Sequence, residues 1–182
     1  GNLHRQRRGH PDQQLQAGMK PDLQRSDFRH LHTLRVRWAE VDPQGIVFNG
    51  NYLTYADVAI TEYFRALGMT FPLEMAEEGA ELFAVRTLLD YLAPARFDEE
   101  IQVGIRVSRM GRSSLTFSMG IWRADTALTA GEIVYVLADT HSRSSRPLPD
   151  CVLETRGQYE AGSIAGSGAY WRPSISSPER TR

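Results

Sequence analysis

The stretch NYLTYADVAITEYFRAL, residues 51–67, decides the fold. Leu53, Ala56, Ile60, Phe64 and Leu67 recur at spacings of three and four, which places them on one stripe of an α-helix. Tyr52, Tyr55, Ala59 and Tyr63 form a second stripe beside the first. A helix apolar over so wide an arc has to be enclosed by other structure. Asn51 reads as its N-cap, and Gly68 stands where a helix ends in a left-handed residue.

Outward from the helix the period changes from three or four to two. Upstream, Leu34, Val36 and Trp38 alternate with Arg35 and Arg37, the pattern of a half-buried strand. Downstream, residues 69–79 (MTFPLEMAEEG) read as a short irregular or helical connection. Four strand-like runs follow: residues 82–92, 101–107, 115–121 and 132–141. Ile101, Val103, Ile105 and Val107 alternate with Gln102, Gly104 and Arg106; Leu115, Phe117, Met119 and Ile121 do the same. Gly111 and residues 123–131 supply turns. One strand, one long helix and four strands are segregated rather than alternating, so the class is α+β. The expected architecture is an antiparallel sheet of about five strands wrapped around one central helix.

Composition excludes several partners. The 182 residues suit one domain with tails, and a net charge of −1 gives no general reason for nucleic acid or an anionic membrane as partner. The single cysteine, Cys151, permits no intramolecular disulfide and no cysteine metal cluster, which fits a reducing, cytoplasmic setting. Residues 1–27 are polar and without period, and 151–182 run into a Gly/Ser/Pro-rich end, so the folded domain is placed at 28–150 between two flexible extensions. Met19 is a candidate natural start, leaving the origin of residues 1–18 open, and Tyr170 and Trp171 are candidates to dock on the body or on a second subunit.

The chemistry concentrates just before the helix, in EVDPQGIVFNGN (residues 40–51). Asp42 precedes Pro43 and Gly45, and Asp followed by Pro and Gly is common turn chemistry. The same carboxylate also stands close to a helix start, where backbone N–H groups lack intrahelical partners and carry partial positive charge. Such donors suit an oxygen on which negative charge develops, and a nearby carboxylate can attack a carbonyl or activate water against it. That is an acyl-transfer site needing neither Ser, Cys nor metal.

DPQGIVFNGNYLTYADVAITEYF (residues 42–64) resembles the signature of the hotdog-fold acyl-CoA thioesterases of the 4-hydroxybenzoyl-CoA thioesterase type. The matching positions are Asp42, Pro43, Gly45, Ile46, Val47, Asn51, Tyr52 and Asp57, and the likeness extends over about residues 34–149, through LDYLAPARFDEEI (89–101) and GRSSLTF (111–117). The resemblance implies that Asp42 is the catalytic carboxylate and that the Asn49 backbone N–H polarises the thioester carbonyl. It places Gly45, Ile46, Val47 and Tyr52 at the substrate. Two departures stand out. A large branch of these enzymes carries His where this chain has Asn49, which leaves the main-chain donor intact but removes an acid/base side chain. Glu40 occupies the first acidic position, where that branch has Asp.

Other residues carry paired readings. Tyr52 lines the acyl pocket or is a core tyrosine. Asp57 orients the site or a neighbouring subunit, or faces solvent with Thr61 and Arg65. Arg112, Ser113 and Ser114 join a guanidinium to two hydroxyls and suit a coenzyme A phosphate, with Arg143 and Arg146 weaker candidates; a plain surface turn is the alternative. His30, His32 and His141 have no metal-ligand spacing and read as structural or surface residues. The expected function is hydrolysis of an acyl-CoA thioester by a homo-oligomer, dimer or tetramer, with no metal and no cofactor beyond the coenzyme A of the substrate. The alternatives are an acyl-carrier-protein thioesterase and a non-catalytic acyl-CoA-binding protein. A hotdog dehydratase fits less well, because those pair a His with the carboxylate and none closely follows Asp42.

Overall fold

The computed structural model describes residues 23–69 and 79–160. Five strands, β1 (His30–Arg35), β2 (Ala80–Tyr91), β3 (Glu100–Met110), β4 (Ser114–Arg123) and β5 (Thr126–Asp139), form one sheet in the order β1-β3-β4-β5-β2. Every neighbouring pair is antiparallel. The long helix, α1 (Asn51–Ala66), packs against β3 and β1, and a second helix, α2 (Asp150–Glu160), follows β5. This is the sheet-around-one-helix arrangement expected from the two periods.

The alternation on β3 and β4 buries Ile101, Val103, Ile105, Val107, Leu115, Phe117, Met119 and Ile121. Fully burying side chains of this size contributes about 1.5–3 kcal/mol each. From α1 come Tyr52, Tyr55, Ala56, Ala59, Ile60, Tyr63 and Phe64. Tyr63, Phe64 and Phe117 meet edge to face at centroid distances of 5.8–6.0 Å, the geometry that ring quadrupoles favour. On β3 and β4, Gly104 and Gly120 pair across the strands. Phe28 and Trp122 lie where a Cβ at Gly104 would be, and their own rings pack edge to face at 5.2 Å. The helix ends as anticipated: Gly68 takes φ +78°, and the Met69 N–H reaches back to the Phe64 carbonyl at 3.0 Å.

Four local expectations differ from the structure. Trp38 is not the inward end of a strand; β1 stops at Arg35, and Trp38 sits 75% exposed in a 3-10 turn, Trp38–Glu40. Asn51 is the first helical residue rather than the cap, which is Gly50, and its side chain donates to the Glu40 carbonyl instead. Residues 123–131 are mostly strand; the turn is only Ala124 and Asp125, with Ala124 at φ +49°, because β4 and β5 pair right up to Arg123 and Thr126. The packed body also runs past residue 150, because α2 carries Val152 and Tyr159 into the core. Residues 1–22 and 161–182, with Met19, Tyr170 and Trp171, and most of the connection after α1, 70–78, lie outside the described residues.

Candidate active site

After β1 the chain makes the Trp38–Glu40 turn and doubles back on itself before entering α1. The Asp42 N–H donates to the Ile46 carbonyl at 2.8 Å, and the Gly45 N–H donates to the Asp42 carbonyl at 2.9 Å. Gly45 lies at φ +77° with open space where a Cβ would be, so the backbone angle and not crowding calls for glycine. A bridge between Val41 and Val47 and the Phe48 N–H to Glu40 carbonyl bond, 2.9 Å, clamp the two arms together. Asp42 stands on one arm and Asn49 just beyond the end of the other.

The turn reading of Asp42 is met in the structure. Its Oδ1 accepts the Gln44 N–H at 2.8 Å, the Asx turn that the Asp-Pro-x-Gly pattern favours. The residue is half-buried, and among the described residues nothing donates to its second oxygen. At the helix start, the N–H groups of Asn51, Tyr52 and Leu53 turn back to the carbonyls of Phe48, Asn49 and Gly50. Among the described residues, no protein acceptor takes the N–H of Asn49 or Gly50, and both residues are exposed. These two donors, at the N-cap and the residue before it, stand unpaired just ahead of the helix.

Neighbouring side chains hold this corner. Tyr52 is a buried core residue, and its hydroxyl accepts the Ala95 N–H at 2.9 Å. Its ring meets Tyr91 edge to face at 5.5 Å, and the Tyr91 hydroxyl donates to the Asn49 carbonyl at 3.1 Å. Ile46 is half-buried and Val47 buried, with its N–H on the Ala95 carbonyl. Glu40 is a carboxylate only 7% exposed. Burial alone would raise its pKa, but bonds from the Arg37 N–H, the Tyr55 hydroxyl and the Arg37 guanidinium outweigh that and hold it below the usual carboxylate range. Burial and the Glu40 charge push the Tyr55 hydroxyl well above a free phenol. Exposed aromatic rings surround the corner: Phe48, Tyr91 and the pair Trp38 and Phe97, whose centroids are 5.1 Å apart.

The remaining candidates fall elsewhere. Asp57 is exposed on α1, close enough to Tyr135 for its charge to add to burial in raising that phenol's pKa. Arg112 and Ser113 form the β3–β4 turn and Ser114 opens β4, at the far end of the 11-residue β3 from the Asp42 corner. That is roughly 33 Å of strand, so one protomer does not bring them together with Asp42. The turn instead lies beside the segment carrying Arg143 and Arg146, since the Leu148 N–H donates to the Arg112 carbonyl at 2.8 Å. His30 packs its ring on Tyr63, and burial, then the nearby His32, lowers its pKa. Among the described residues no group of three or more His, Cys, Asp or Glu is placed to hold a metal, and no helix is long and apolar enough to cross a membrane.

Sequence reasoning did not single out Glu40 as a buried hub, or Tyr91 at all. The only signal for Glu40 was an acidic residue next to the motif. Tyr91 carried none, because an aromatic ending a strand looks like any other core residue.

A five-stranded antiparallel sheet of this order around one main helix is the hotdog fold of the solved thioesterases. The Thioesterase superfamily profile matches residues 44–130, beginning just past Asp42. The acyl-CoA thioester hydrolase YbgC of Escherichia coli O6:H1 is 30% identical over 122 residues, 66% of this chain and 90% of the relative. The acyl-CoA thioesterase YbgC of Haemophilus influenzae is 29% identical over 107 residues, 58% of this chain and 78% of the relative. A hypothetical protein of Aquifex aeolicus superposes with a TM-score of 0.63 at 26% identity, covering 69% of this chain and 98% of that one. A 1,4-dihydroxy-2-naphthoyl-CoA thioesterase from Synechocystis superposes at 0.66 with 17% identity, over 70% and 95% of the two chains, a likeness of fold. The chain belongs to the thioesterase superfamily and is a thioester hydrolase.

Proposed function

We propose that the protein hydrolyses an acyl-CoA thioester to the free acid and coenzyme A, with Asp42 as the carboxylate and the Asn49 N–H as oxyanion donor. The observation that carries this is the folded-back loop. It sets a carboxylate with one oxygen unengaged by the described residues in the same loop as the Asn49 and Gly50 N–H groups, which precede the helix and have no acceptor among those residues. As the thioester carbonyl is attacked, negative charge gathers on its oxygen, and donors fixed in advance stabilise that charge without reorganising. Asp42 acts as nucleophile or as the base for water; both use the same unengaged oxygen. Gly45 and the half-buried Ile46 form the wall on which the acyl group lies, with Val47, buried in the core, anchoring them from behind. The names of the bacterial relatives favour coenzyme A over an acyl carrier protein as the leaving group.

Asp57, exposed on α1, and the Arg112, Ser113 and Ser114 turn serve this reading through a second copy of the chain; the turn lies a β3 length from the Asp42 corner of its own protomer. The turn would then hold the phosphates of coenzyme A bound across the subunits, with Arg143 alongside. The test is a panel of aromatic, short-chain and long-chain acyl-CoA substrates followed by thiol release. Turnover of at least one class is expected; tight binding of acyl-CoA with no thiol released would make the protein a binder instead.

A further inference from the structure

The chemistry described above does not use Glu40, yet Glu40, two residues before Asp42, is a buried carboxylate. A carboxylate withdrawn from water is costly unless donors surround it. Here the Arg37 N–H and Nε each reach it at 2.7 Å, and the Tyr55 hydroxyl, from the second turn of α1, donates at 2.7 Å. Its backbone carbonyl receives two more donors, the Phe48 N–H at 2.9 Å and the Asn51 side-chain amide at 2.9 Å. One residue thus joins the turn after β1, the body of α1, the returning arm of the loop and the first residue of the helix. Asp42 lies two residues after it, and Asn49 directly follows the Phe48 it binds. Volume alone does not explain an acid here, since an apolar side chain would fill the space but leave the Tyr55 hydroxyl and the Arg37 N–H without an acceptor.

We infer that Glu40 is a positioning residue for thioester cleavage: clamped by Tyr55 and Arg37, it fixes Asp42 relative to the Asn49 and Gly50 donors. The inference rests on the reading of Asp42 as the catalytic carboxylate. Misplacing reacting groups by about 1 Å can cost 10²-fold in rate, so a clamp at the loop's neck acts on turnover more than on binding.

The test compares Glu40→Gln and Tyr55→Phe in the full chain, on the best substrate of the panel, well below each variant's melting midpoint. Glu40→Gln should lower kcat by about 10-fold or more and Tyr55→Phe by about 3-fold or more, both with KM within about 2-fold of wild type. Added to Asp42→Asn, Glu40→Gln should lower kcat by less than about 2-fold more, because the placement it guards has lost its purpose. Wild-type kcat in folded variants would overturn the proposal, and so would a full multiplicative loss in the double variant. If Glu40→Gln does not fold, Tyr55→Phe alone and in the Asp42→Asn background decides by the same criteria. Unchanged turnover in Asp42→Asn by itself would remove the catalytic reading and this proposal together. Failure of the proposal alone looks different: Asp42→Asn loses turnover and the folded Glu40 and Tyr55 variants keep it.

Discussion

At Asp42 one oxygen serves the turn, and the proposed chemistry falls to the other, so the two roles separate on substitution. Asn in its place keeps a carbonyl oxygen to accept the Gln44 N–H, and the turn should survive. We predict that Asp42→Asn lowers kcat by about 10²-fold or more while the melting temperature stays within a few degrees of wild type, about 1 kcal/mol at most. Steady-state thiol release and a thermal melt on the same preparation check both halves. Asp139 gives a charge effect of the opposite kind, on stability. The N–H groups of Ser142 and His141 and the Arg146 guanidinium hold its carboxyl well below the ordinary carboxylate range. Because the folded value is the lower one, the unfolded chain takes up the proton first. The stabilisation is whole above about pH 4, the unfolded value, and drains away as the pH falls below it. Asp139→Asn should therefore melt below wild type at pH 7, with the gap narrowing at pH 3. A gap independent of pH would mean that geometry and not charge carries the contribution.

Among the elements, α1 was legible because its apolar period is written locally, yet not all of its stripe is buried. Leu53 remains 40% exposed, whereas Ala56, Ile60 and Phe64, on the same stripe, are buried, where the helix lies on the sheet, Phe64 against Phe117 of β4. Strand β5 was legible in its second half alone. Its first half, with Thr, Ala and Gly, has the composition of a turn and becomes strand by pairing on both sides with β4 and β2. Gly131 shows why glycine is present there: a Cβ would come within 2.1 Å of the Leu88 carbonyl oxygen on β2. That neighbour is backbone and cannot swing aside. Gly131→Ala is expected to destabilise the fold by about 1–3 kcal/mol, the usual scale of overpacking, seen as a lower urea midpoint at unchanged slope. A midpoint equal to wild type would show that β2 and β5 can part locally at no cost.

For the whole molecule, the open question of assembly meets the site at β2. This 12-residue strand is an edge of the sheet, with Val85, Leu88 and Tyr91 exposed along it. A long apolar edge is a template for pairing with another chain. Tyr91, at its end, also donates to the Asn49 carbonyl, so what pairs on β2 bears on the helix start. We predict a homo-oligomer by light scattering at micromolar concentration, and a shift toward monomer with loss of turnover for Leu88→Lys. A monomeric wild type with full activity would refute the shared site. It would also leave the Arg112 turn, a β3 length away from Asp42, without a role in binding coenzyme A.

By itself the sequence determined what short-range periodicity and turn chemistry can encode: a helix of period near 3.6 from Asn51, strands of period two, a turn at an Asp-Pro-x-Gly run, and a carboxylate close to a helix start. Tertiary structure alone decided which distant residues meet. The Tyr91 hydroxyl reaches the Asn49 carbonyl across 42 positions, and Tyr52 receives the Ala95 N–H across 43. Glu40 became buried only when Tyr55 and Arg37 closed over it. The GRSS turn, so like a phosphate grip in one dimension, was carried to the far end of β3. The reason is that a side chain's period depends on its own segment, whereas its partners depend on strand order, and nothing local to residue 91 records that β2 lies at the edge of the sheet.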